Sequence, residues 1–115
     1  MVVTHFLVTL KEGVNEGEFE TWVRDVWSKR LNVEKGPKGM KGQIAKGDRG
    51  PAKGHYLGSI FFDSAAVRTW YFPVEGEDIS QEGRREIDAS GFGEAFDAFW
   101  GFADLEWRGD GVVIS

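Results

Sequence analysis

The nine residues VVTHFLVTL, Val2 to Leu10, constrain the fold more than any other stretch of the chain. They are β-branched and apolar, which predicts a strand. Side chains of a strand alternate between its two sides. One side carries Val3, His5, Leu7 and Thr9; the other carries Val2, Thr4, Phe6, Val8 and Leu10. Both sets are substantially apolar, so a sheet built on this strand must be covered on both faces. Helices can cover one. The simplest cover for the other is a second copy of the same sheet, in a two-fold symmetric dimer.

The rest of the chain supplies the helices. Lys11-Glu12-Gly13 ends the strand. Asn15, with Glu18 three residues on and acids in the first turn, makes a capping-box-like helix start. Phe19, Val23, Val26, Trp27 and Leu31 follow at helical spacing, predicting a helix over about 16–31.

The next segment, KGPKGMKGQIAKGDRGPAKG, reads like collagen for three triplets, with glycine at 36, 39 and 42. Ala45 breaks the period, and a collagen helix tolerates no break. No glycine-rich turn here leads from a strand into a helix, which argues against a phosphate loop. Instead Met40, Gly42 and Ile44 alternate with Lys41, Gln43 and Ala45, a turn follows at Asp48-Arg49-Gly50-Pro51, and HYLGSIFF (His55 to Phe62) is a second strand. That is a hairpin signature, with lysines on a solvated edge.

Asp63 or Ser64 caps a helix from Ala65 to about Phe72, stopped by Pro73. Residues 74–90 are acidic and polar and read as a loop, with at most a short helical turn after Ser80. Phe92, Phe96, Phe99 and Ala103 predict a helix over about 92–102. Leu105 to Arg108 and Val112 to Ile114 read as strand on either side of a turn, Gly109-Asp110-Gly111. Two right-handed β-α-β crossovers in this order predict an α+β, ferredoxin-like fold: βαββαβ with an extra helix before the last strand, and a four-stranded antiparallel sheet with helices on one face. At 115 residues the chain suits one such domain, 1–115.

Composition narrows the function. Without cysteine there is no disulfide, thiolate metal site or thiol nucleophile, which fits a cytoplasmic protein. The N-terminus lacks the pattern of a signal peptide, and no apolar run approaches a membrane span, so no membrane partner is expected. The net charge is -5, yet the segment 34–54 holds six of the fourteen basic side chains (Lys35, Lys38, Lys41, Lys46, Arg49 and Lys53) against Glu34 and Asp48. A nucleic-acid binder shows a basic domain rather than a basic segment on an acidic body, and no nucleic-acid partner is expected. Five Trp and nine Phe exceed what a small core needs, pointing to an aromatic cavity or interface.

The stretches THFLVTLKEGVNEGEFETWV and HYLGSIFFDSAAVRTWY resemble the stress-responsive dimeric α/β-barrel (Dabb) proteins: a His-bearing strand with a Lys-bearing end leading to a helix, then a third strand running through Phe-Asp-Ser into the second helix. The resemblance covers roughly residues 2–72. It implies two ferredoxin-like sheets closing a barrel across a dimer. The wider superfamily includes cofactor-free oxygenases, haem-degrading enzymes and proteins with no known activity.

His5 and His55 are the only histidines. With strands 1 and 3 adjacent and parallel, both would sit at one end of the barrel. They are candidates for a general base or a proton-handling pair; the alternative is ordinary polar residues at a barrel mouth or interface. Two histidines without a suitably spaced carboxylate are an incomplete metal set, and neither metal nor cofactor is expected. Leu7, Leu57 and Phe61 are candidates to line the barrel. Trp70 and Tyr71, ahead of Pro73 and the acidic segment, are candidates for the lid of a pocket between sheet and helices; the alternative is an aromatic core beneath a surface loop. The expected function is that of a homodimer binding a small apolar or aromatic compound, as a cofactor-free oxygenase or isomerase. The alternative is a non-catalytic, stress-related structural or ligand-binding homodimer.

Overall fold

The computed structural model describes residues 1–115. Strand β1 (Val2–Leu10) leads to helix α1 (Glu16–Trp22), which continues through a π-helical turn (Val23–Trp27) into α2 (Ser28–Leu31). Asn15 caps this rod, its side chain accepting from the Glu18 amide, as the capping pattern predicts. The π turn was not visible in the sequence. It is marked by the Ser28 amide donating to the Val23 carbonyl, five residues back, and it widens the helix where Trp27 turns into the core.

Strands β2 (Met40–Lys46) and β3 (Tyr56–Phe62) form the predicted hairpin, joined through a short 3-10 turn at Gly50–Ala52. The outer edge of β2 is closed by Asn32, whose side-chain amide donates to the Gly42 carbonyl (2.8 Å) and accepts from the Gly42 amide (2.9 Å). A side chain thus stands where another strand would pair, which blunts an edge open to unwanted association. Ser64 caps α3 (Ala65–Tyr71) by accepting from the Val67 amide.

Residues 74–90, expected to be mostly loop, instead contain α4 (Gln81–Ala89). Ser80 accepts from the Gly83 amide, Gly83 and Ile87 are the buried pair at i and i+4, and half-buried Ile79 packs just ahead of the cap. Acids and arginines dominate the rest of the segment and mask that pair. Helix α5 (Gly93–Phe102) runs directly into β4 (Ala103–Val112).

The sequence predicted two short strands around a turn at Gly109-Asp110-Gly111; the structure has one continuous strand with a bulge. His5 faces Gly109 and Phe6 faces Trp107, leaving Arg108 as the extra residue. Gly109 takes φ +119°, a left-handed conformation that glycine adopts without strain, so the irregularity bends the strand instead of ending it.

The sheet order is β2-β3-β1-β4, with every neighbouring pair antiparallel. This overturns one expectation: β1 and β3 are adjacent but antiparallel. A hairpin forces β3 to run against β2, and the crossover makes β2 parallel to β1, so β3 must oppose β1.

All helices cover one face. There Val2, Phe6, Val8, Leu10, Met40, Ile44, Tyr56, Ile60 and Phe62 pack against Phe19, Trp27, Leu31, Tyr71, Ile87, Phe92 and Phe99. Phe19 lies at the centre, 5.0 Å from the Tyr56 ring and 5.8 Å from that of Phe99. The packing is tight enough that Gly42 has no room for a side chain. A Cβ there would lie 2.7 Å from Leu31 Cδ2 and 2.9 Å from both Ile60 Cδ1 and Trp27 Cη2.

Polar groups on this face are tied in place. The Tyr56 hydroxyl donates to Glu20 (2.7 Å), which also pairs with Lys46 (3.0 Å). The Tyr71 hydroxyl donates to the Lys38 carbonyl (2.7 Å). Asp110 accepts from Thr4 (2.7 Å), Arg68 (2.6 Å) and Trp107 (3.2 Å), joining β4 to β1 and to α3. Burial pushes the Asp110 carboxyl up, but those three hydrogen bonds and the Arg68 charge outweigh it and hold the group below its ordinary value. No buried side-chain nitrogen or oxygen lacks a partner.

Candidate functional site on the open sheet face

The second face of the sheet carries no helix, and its side chains line up in four rows set by strand register. The first row is Lys41, Phe61, Val3 and Gly111; the second is Gln43, Ser59, His5 and Gly109; the third is Ala45, Leu57, Leu7 and Glu106. A fourth begins beyond β3 with His55, beside Thr9 and Asp104. The second row is a polar stripe between two largely apolar ones. This pattern follows from the period of two in each strand and from the antiparallel register that brings like positions together.

Five of the seven candidate residues therefore share one surface. Leu7 and Phe61 are half-buried and Leu57 is 45% exposed. His5 is exposed, and its Nδ1 lies 3.3 Å from the Ser59 hydroxyl. His55 is half-buried, with Nδ1 2.9 Å from the Thr9 hydroxyl. The antiparallel register separates the two histidines: His5 faces Ser59, while His55 lies four positions along the ladder, roughly 13 Å away at strand rise. They do not form a pair within the chain. The other two candidates belong to the helix layer. Tyr71 is fully buried in the core, and Trp70 is half-exposed on α3. The space between sheet and helices near them is filled by side chains, with Phe62 5.9 Å from Tyr71 between ring centres.

A concavity of about 440 Å³ lies across the polar row, lined by His5, Phe6, Gln43, Ala45, Leu57, Gly58, Ser59 and Arg108. Its volume falls within the range of small-molecule sites. Gln43, Ser59 and Arg108 are members that reading the sequence missed. Ser59 and Gln43 could have been found by placing His5 in an antiparallel register. Arg108 could not, because it enters through the β4 bulge, where alternation fails. A wider depression of about 650 Å³ is lined only by residues 15–26, along one side of the first helix. Nothing faces it from another element, and it is a shallow flank of one helical rod.

No three His, Asp or Glu side chains come together as a metal set. No helix is long and apolar enough to cross a membrane. The fold and this surface define an α+β protein with a four-stranded antiparallel sheet, helices on one side and a partly apolar, histidine-bearing face on the other. No protein-family model matches the chain, and no curated protein matches it.

Proposed function

We propose that this chain is a ferredoxin-like subunit of a homodimeric α/β barrel, akin to the Dabb proteins, holding a small apolar or aromatic compound between two sheets. The observation that carries this reading is the open face itself: Val3, Leu7, Leu57 and Phe61 flank a polar row on a sheet whose other side is fully covered. A second copy covers such a face by symmetry.

Within the barrel His5 is the better-placed base of the two, since it borders the concavity. It would move a proton on the bound compound in a cofactor-free oxygenase or isomerase reaction. A second reading, a non-catalytic stress-related or ligand-binding homodimer, is favoured by the hydroxyl contact that each histidine already makes within its own chain. The cysteine-free composition fits a cytoplasmic setting for either.

Sedimentation of wild type and Leu57→Lys tests the assembly. Wild type is expected to sediment as a dimer at tens of micromolar, and Leu57→Lys as a folded monomer. A wild type that stays monomeric overturns the barrel. Once a turnover is known, its survival in His5→Ala and His55→Ala removes the catalytic reading and leaves the binding one.

A further inference from the structure

We propose that the row Gln43–Ser59–His5, completed by Arg108, is a recognition site for the carboxylate of a small apolar acid, whose body lies over Leu57 and Leu7. This rests on the reading of the open face as a ligand surface and adds the chemical class of the ligand.

The four polar side chains converge on one concavity, and most of their hydrogen-bonding capacity is unspent. Arg108 uses one guanidinium nitrogen, which donates to Glu106 at 2.9 Å; a guanidinium has five N–H donors. Gln43 makes no side-chain hydrogen bond within the chain, so its amide N–H groups are free. His5 and Ser59 share a single contact through His5 Nδ1, which leaves Nε2 of the ring open.

The sign of the ligand follows from this inventory. The only permanent charge lining the concavity is the guanidinium, around it stand His5, Ser59 and Gln43, each able to donate, and a cationic ligand would meet Arg108 directly. One planar, forked cation suits a carboxylate, which accepts two parallel N–H bonds. The Arg108–Glu106 pair is no obstacle. Its side chains are 59% and 63% exposed, and such pairs contribute little. A ligand carboxylate that also accepts from Gln43 and Ser59 competes for the same fork.

The backbone is shaped for the purpose. The β4 bulge inserts Arg108 into the ladder beside His5, and bulges re-aim side chains in this way next to binding sites. Gly109, directly opposite His5, has no side chain, and a Cβ at that position would meet nothing within 4 Å. The approach to the histidine from β4 is therefore open. The ligand's apolar part is set by the neighbouring row, where Ala45, Leu57 and Leu7 form a flat strip that a ring can lie on.

The test uses naphthalene-2-carboxylate and its neutral isostere naphthalene-2-carboxamide, titrated into the wild-type protein and into Arg108→Gln, with affinity from calorimetry and position from amide chemical shifts. The expected result is carboxylate binding about tenfold tighter than amide, with shifts at Ser59 and Leu57. In Arg108→Gln the preference falls to about unity while the amide affinity is kept. Ser59→Ala, with an amide spectrum that shows it folded, is expected to weaken the carboxylate about threefold. A carboxylate preference that survives Arg108→Gln, or shifts confined to the first helix, overturns the site. Equal binding of both compounds on the open face overturns the carboxylate reading and leaves the apolar ligand surface standing. Failure of both to bind a folded dimer overturns that surface as well.

Discussion

The two faces of one sheet have been finished in different ways. On the helix side, large aromatic rings meet edge to face, glycine at 42 makes room for Leu31 and Trp27, and every buried side-chain nitrogen and oxygen has a partner. On the open side, the same strands present medium-sized apolar residues in two rows, a polar row between them, and glycines at 109 and 111 where β4 could have carried bulk. The first is the inside of a protein; the second is a mixed surface with half-buried and exposed apolar side chains. The difference shows that apolar alternation alone does not say what covers a face. Completeness of polar pairing and tightness around glycine do.

The sharpest way to break this contrast is to remove one large residue from each side. Phe19→Ala takes away the fully buried ring that touches Tyr56, Phe99, Trp22 and Phe102, and is expected to cost about 3–5 kcal/mol in urea unfolding. Leu57→Ala on the open face is expected to cost under about 1 kcal/mol at concentrations where the protein is monomeric. Equal losses would mean that the open face is already buried within a single chain.

Glycine gives the next test. Gly42→Ala forces a methyl against three side-chain ends on the helix side and is expected to cost about 1–3 kcal/mol by overpacking. The neighbours are flexible tips, so the lower part of that range is expected if Leu31 and Ile60 turn aside. No loss at all would show that the core there is looser than its distances indicate.

Much of this contrast could be read before the fold was known. The strand Val2–Leu10 revealed two apolar sides, and Asn15, Ser64 and the Phe92–Phe99 spacing placed helices close to where they lie, because caps and periodicity are local signals. Signals that depend on distant partners were misread or missed. Helix α4 hid behind charged residues because its buried side has only Gly83 and Ile87 to mark it. Asp110 looked like turn chemistry, since Thr4 and Arg68, the groups that fix it, lie far away in sequence. The site was half legible: His5, Leu7, Leu57 and Phe61 follow from alternation, whereas Arg108 depends on a bulge that no local pattern announces. The supposed pairing of His5 with His55 failed on strand direction alone.

Asp110 sharpens the helix side through pH. Its folded pKa lies below the ordinary carboxylate value because Thr4, Arg68 and Trp107 overcome the opposing effect of burial. A depressed pKa means that the charged form stabilises the fold above the unfolded value, about 4, and that this stability is lost as pH falls through the lower, folded value. Asp110→Asn is expected to cost about 1–2 kcal/mol at pH 7. Stability curves of wild type and variant are expected to converge below about pH 4 as the wild-type carboxyl takes up its proton. A gap that persists unchanged at low pH would assign the loss to geometry, with charge playing no part.

The smallest expected effect is the most discriminating. Gly111 lies in the first open-face row beside Val3, its φ is not in the left-handed region, and a Cβ there would meet nothing within 4 Å. In an isolated chain Gly111→Ala should change stability by less than about 0.5 kcal/mol, and in the stabilising direction if anything, since alanine restricts the unfolded backbone. Beneath a closely packed second sheet the same methyl would meet the partner. Unfolding measured over a hundredfold range of protein concentration separates these cases. A penalty that appears only at high concentration places a second copy over this row, whereas none at any concentration leaves the β4 end of the face uncovered.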